Sequence, residues 1–118
     1  DMLTDQTARV LVQELIREKM LELLDEEVPH GVGVEVVRFN ENEEKNIVGI
    51  DANIYCEKAS HKPIIIGRDG AMLKKIGMRA REDIERLLGM KTVLKLWVKV
   101  KEDWRNNDYM LGELGYKS

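Results

Sequence analysis

A single cysteine, Cys56, leaves no possibility of a disulfide within the chain. A metal site around it would need His, Asp or Glu partners that do not cluster nearby, so the thiol reads as a small buried apolar side chain. No apolar run approaches the roughly 20 residues of a membrane-spanning helix. The opening stretch DMLTDQTARV has neither the basic nor the apolar region of a signal peptide, so the expected location is cytoplasmic. Histidine is scarce: His30 and His61 are the only two, both beside expected turns and neither within a motif for acid-base work. The pattern G-x-x-x-x-G-K-[ST] is absent, which removes that device for holding a nucleoside triphosphate. With no nucleophile, acid-base pair or metal cluster in view, the chain is not expected to be an enzyme.

What is present describes a folded domain. Charged residues make up 35% and hydrophobic residues 43% of 118 positions, enough for one core, with only two prolines and neither repeats nor low-complexity linkers. The net charge of −3 is unevenly spread. From Asp1 to Glu44 there are 12 acidic residues against four basic ones. From Lys58 to Arg81 the balance reverses, with Lys58, Lys62, Arg68, Lys74, Lys75, Arg79 and Arg81 facing Asp69 alone. A basic stretch on an acidic chain marks where an anionic partner is received.

Hydrophobic spacing predicts a helix over Thr7–Asp25, with Val12, Leu15, Ile16, Met20, Leu23 and Leu24 on one face and Thr4, Asp5 or Thr7 as cap. Strands follow over Val32–Phe39 and Ile47–Glu57, joined by the loop NENEEKN as an antiparallel hairpin. In the second strand Val48, Ile50, Ala52, Ile54 and Cys56 share the core face. Ser60 is expected to cap a short helical turn with Pro63 in its first turn. A helix from Ala71 carries Leu73, Ile76, Gly77, Ala80, Ile84, Leu87 and Leu88 inward and stops at Gly89. A last strand, Val93–Lys101, alternates cleanly, and a tail begins near 103. Two helices between the second and third strands form a crossover that returns the chain parallel to the strand it left. The expected class is α+β, a three-stranded mixed sheet with helices on one face.

The stretch IIIGRDGAMLKKI interrupts an apolar run with two glycines. Gly67 is expected to take the αL conformation at the end of the short helix, and Gly70 to open the next one while admitting a partner's backbone. The amides of Asp69, Gly70 and Ala71 are expected to face outward at a helix N-terminus, with Arg68 adding a cation, a short phosphate clamp. The bland alternative is a helical corner whose glycines merely satisfy geometry. Ile64, Ile65 and Ile66 are too many for one buried face, so at least one should line an open groove, and Lys74 and Lys75 follow on the exposed side of the next helix.

These residues resemble the KH signature I-G-x-x-G-x-x-[IL]-x-x-[IL], and the order helix-strand-strand-helix-helix-strand is that of type II KH domains. REKMLELLDEEVPH, ASHKPIIIGRDGAMLKKIGMRAREDIERLLG and LKLWVKVKEDWRN together resemble the C-terminal domain of Era-type GTPases over nearly the whole chain. The resemblance implies one KH domain over 1–118, with the GTPase domain, its GTP and its Mg in the rest of the parent protein and no cofactor in this chain. It implies a monomer that binds single-stranded RNA near the 3′ end of small-subunit ribosomal RNA during assembly of the small ribosomal subunit, and it leaves open a peripheral membrane association of the parent. Carried over by position, Gly67, Arg68, Asp69, Gly70 and Ala71 form the clamp, Ile65 and Ile66 an apolar floor for bases, and Lys62, Lys74 and Lys75 contacts to phosphates or base edges.

One departure is Asp69, where such loops commonly carry a basic or neutral residue; its carboxylate either weakens the phosphate site or caps the second helix. The rival function is protein docking, to a ribosomal protein or the GTPase domain, through the basic helix or the open sheet face. Trp97 and Tyr55 on that face read as a cross-strand aromatic pair with cover from Trp104, and Trp97 is expected to contribute to stability more than to RNA affinity, the KH groove lying elsewhere. Gly67→Asp and Gly70→Asp are both expected to leave the fold largely intact while abolishing RNA binding.

Overall fold

Period-two alternation along Ile47–Cys56 makes that segment the centre of a sheet, because both of its edges find partners. A computed structural model describes residues 5–24 and 31–102. Its elements are α1 (Asp5–Leu23), β1 (Val32–Asn42), β2 (Ile47–Cys56), a 3-10 turn (Ala59–His61), α2 (Lys62–Ile66), a second 3-10 turn (Arg68–Gly70), α3 (Ala71–Leu88) and β3 (Lys91–Val100). The sheet order is β1-β2-β3, with β1 antiparallel and β3 parallel to β2. The α2–α3 crossover therefore does what its length predicts, and the α+β class and mixed sheet stand as expected.

One sheet face is covered. Val48, Ile50, Ala52, Ile54 and Cys56 are fully buried and pack with Val12, Ile16 and Met20 of α1 and Ile76, Ala80 and Ile84 of α3. Leu15, Leu23, Leu73 and Leu88 are only partly buried, and Leu87, expected inside, is exposed because α3's buried stripe is narrower than the apolar pattern. Lys19 Nζ meets Asp83 Oδ2 at 2.7 Å and ties α1 to α3; Asp83 also accepts from Arg86. The Lys19 hydrogen bond, then Arg86, holds the Asp83 carboxyl below its ordinary value. Gly89 stops α3 in the left-handed region at φ 67°, its N–H bonded to Glu85 O at 2.8 Å.

Three differences from the sequence reading have local causes. β1 runs to Asn42, so the hairpin turn shortens to four residues closed by Asn46 N–H to Glu43 O at 3.2 Å. The register of β1 slips between Val36 and Arg38, a bulge, and there Val36 N–H donates to the buried Gln13 Oε1 at 2.9 Å. Periodicity gave no hint of that polar core contact. Ser60 sits inside the 3-10 turn rather than capping it, and His61 occupies the N-cap position of α2 without a side-chain bond. Thr4, residues 25–30, Trp104 and the tail from 103 lie outside the described residues.

Candidate nucleic-acid interface

α2 is five residues long because its ends are set by proline and glycine. Pro63, in the first turn, has no amide to lose there. Gly67 ends the helix with its N–H on Pro63 O at 2.8 Å and takes φ 78°, ψ 175°. That is not the expected αL conformation but a region open essentially only to glycine. A Cβ on Gly67 would stand 2.6 Å from Met72 Cβ and 2.7 Å from Met72 N. The first glycine thus lets the start of α3 close against the end of α2. The expectation that Gly67→Asp spares the fold is corrected accordingly.

The second glycine differs. Gly70, at φ 79° and ψ 9°, is the N-cap of α3, and a Cβ there would meet no atom within 4 Å. Between the two, Arg68 and Asp69 are exposed, and Asp69 itself is left-handed at φ 55°, a conformation Asp tolerates better than most residues. Gly70 N–H donates to Gly67 O at 3.2 Å, and Ala71 N–H to Arg68 O. Two of the three amides expected to face a phosphate therefore close the corner itself. The Asp69 carboxylate accepts no hydrogen bond from a described residue, so the capping role offered for it finds no support in the geometry.

The apolar floor is redistributed. Ile65 is fully buried in the core and lies beneath the surface, Ile66 is partly buried, and Ile64 is 45% exposed. Successive helical residues point about 100° apart, so one of three isoleucines in so short a helix had to face out; the sequence could not say which. Lys62, Ala71, Lys74 and Lys75 are exposed on α2 and α3 around the corner. Burial pushes the Cys56 thiol up from its ordinary value, while the charge of nearby Lys62 opposes that shift. α2 packs beside β3, the edge strand of the sheet. Isoleucines, a positive-φ corner and lysines are thereby gathered beside an edge strand that pairs with no described strand other than β2.

Among the described residues no group of three or more His, Cys, Asp and Glu side chains is placed to hold a metal, and no helix is long and apolar enough to cross a membrane. The KH domain family matches residues 27–105. The chain is 64% identical over its whole length to the GTPase Era of Ruminiclostridium cellulolyticum, and 59% identical over 98% of its length to that of Caldanaerobacter subterraneus. It spans 39% of the length of each of these relatives. Two solved structures superimpose on all of it at 39% identity. One is a single-residue variant of Aquifex aeolicus Era bound to GDP.AlF4-, with a TM-score of 0.90 and 40% of that chain covered. The other is Era in complex with MgGDPNP and nucleotides 1506–1542 of 16S ribosomal RNA, with a TM-score of 0.91 and 39% covered. Sequence signature, strand order and superposition agree: the chain belongs to the KH domain family through residues 27–105 and is similar along its whole length to Era-type GTPases.

Proposed function

We propose that this chain binds single-stranded RNA across the 67–70 corner, directed at the 3′ region of small-subunit ribosomal RNA, as the RNA-binding domain of a ribosome-assembly GTPase. The observation that carries this reading is the open space in front of Gly70 at the start of α3, with Arg68 beside it. A phosphodiester approaches there without meeting a side chain. The likeness to an Era chain in complex with 16S ribosomal RNA supports the RNA-binding reading itself.

The chemistry follows from the groups present. Arg68 and the α3 N-terminus attract the backbone, Lys62, Lys74 and Lys75 neutralise neighbouring phosphates or reach base edges, and Ile64 and Ile66 offer apolar surface to splayed bases. Ile65 supports that surface from below. Asp69 opposes the local field and keeps the corner from being a nonspecific anion trap. The P-loop pattern is missing from the sequence, and GTP and Mg are assigned to the GTPase domain of the parent. The chain acts there as a monomeric domain delivered to the small ribosomal subunit.

Titration with nucleotides 1506–1542 of 16S ribosomal RNA, against scrambled and fully duplex controls, tests this directly. Preferential, salt-sensitive binding of the native RNA that Gly70→Asp removes is the expected result. Equal binding by a folded Gly70→Asp variant overturns the assignment of the corner.

A further inference from the structure

The face of the sheet turned away from the helices has a charge pattern of its own. On β3 every second residue from Lys91 to Lys99 is exposed, Lys91, Val93, Lys95, Trp97 and Lys99, and Lys101 just past its end is exposed too. Trp97 is 46% exposed and lies between Lys95 and Lys99 on the same face of the strand. Its direct partner across the ladder is Asn53, while Tyr55 stands opposite Lys99, so the two aromatics are diagonal rather than paired face to face. Tyr55 is already engaged, its hydroxyl donating to Glu35 at 2.7 Å and accepting from Asn53 at 3.3 Å.

The acids on this face are also engaged. Asp51, opposite Lys95, accepts two hydrogen bonds from Arg38 at 2.8 and 3.2 Å, and Glu35 holds the Tyr55 hydroxyl. None of Lys91, Lys95, Lys99 and Lys101 makes an ion pair with a described residue. Cations at alternate strand positions recur about every 7 Å, and here a large π surface stands among them. A partner that satisfies both is a polyanion with flat apolar faces, which is single-stranded nucleic acid. An acidic peptide would use the lysines and leave the ring bare.

Position links this face to the corner. α2 lies against β3, and β3 is an edge strand that pairs with no described strand other than β2, so the exposed isoleucine of α2 and the outer face of β3 belong to neighbouring elements. We propose that the outer face of β3 is a second RNA contact, in which a nucleotide flanking the segment held at Gly67–Gly70 stacks on Trp97 while Lys95 and Lys99 bind its neighbouring phosphates. This rests on the RNA-binding reading above and extends it.

The test uses the 118-residue chain with nucleotides 1506–1542 of 16S ribosomal RNA and nested truncations from each end. Trp97→Ala is expected to weaken the long RNA roughly 5- to 100-fold, as loss of one stacked base does, with Trp97→Phe restoring most of the affinity. The shortest truncation still bound should not notice either change. Because Lys95 and Lys99 are exposed, Lys95→Gln with Lys99→Gln keeps the test valid if Trp97→Ala misfolds, and should lower the log-log salt slope by about 1.4. If these variants bind the long RNA as tightly as the native chain while Gly70→Asp loses it, the second contact is overturned and the corner stands. Equal loss on every truncation, including the shortest, also overturns a separate face. If the native chain binds none of the RNAs, the corner and this extension fall together.

Discussion

Gly67 and Gly70 are three residues apart and share a positive φ, yet they face opposite ways. At Gly67 a side chain would run into the first turn of α3; at Gly70 it would enter solvent. The first glycine serves the packing of the protein itself, and the second leaves open the space at which the proposed RNA would approach. A sequence motif written with two equal letters thus covers two different physical demands, and substitutions should separate them.

The largest effect is expected at Gly67. Gly67→Asp combines a backbone conformation that costs about 1–3 kcal/mol for a non-glycine residue with an overlap of at least a comparable size against Met72. That is a large fraction of the roughly 5–15 kcal/mol by which folded domains are stable. Urea unfolding should show either a strongly lowered midpoint or no folded baseline; an unchanged midpoint would erase the distinction between the two glycines.

Gly70→Asp should cost only about 1 kcal/mol, the penalty for a left-handed residue in open space, while RNA affinity falls more than about tenfold from the added charge. Gly70→Ala sharpens the contrast, carrying at least as much backbone strain without the carboxylate. If alanine and aspartate lower affinity alike, shape rather than charge governs the approach.

Asp69→Lys addresses the residue between them. Its carboxylate has no partner among the described residues to lose, so stability should fall only by the backbone cost of a lysine at φ 55°, about 1 kcal/mol or less. RNA binding should tighten, with the log-log salt slope steepening by about 0.7 for one new single-strand contact. Lost stability with unchanged binding would restore Asp69 as a structural residue.

The smallest effect lies far from the corner and should leave RNA untouched. Hydrogen bonding from Lys19, then from Arg86, lowers the Asp83 pKa, so its contribution is present above the unfolded value, about pH 4, and is lost as pH falls through the folded value. Asp83→Asn should therefore lower stability slightly at pH 7, by less than about 1 kcal/mol, and the gap from the native chain should narrow as pH falls below the unfolded value. A change in RNA affinity would mean that the α1–α3 contact communicates with the corner, against the division drawn between the inner and outer sides.

Secondary structure was legible where one-dimensional spacing carries the information. Strand alternation in 47–56 and 93–100, the helical stripe of α1, the stop at Gly89 and the parallel crossover all follow from periods, caps and connection length. The GRDG stretch was legible as a corner because glycine pairs at that spacing have few other uses. Burial within the site was not. Three adjacent isoleucines have the same chemistry, and only packing against the sheet and α3 puts Ile65 inside and Ile64 out. The direction of each glycine's missing Cβ, the use of the Gly70 and Ala71 amides inside the turn, and the Gln13 bond to the β1 bulge each depend on atoms distant in sequence or on backbone rotation within the loop. The sequence by itself determined which elements form, their order and where the basic charge is concentrated, since propensity, periodicity and composition are local properties of the chain. Tertiary structure decided which side of each element meets protein and which meets solvent, because that choice is made by the neighbour that arrives to pack against it.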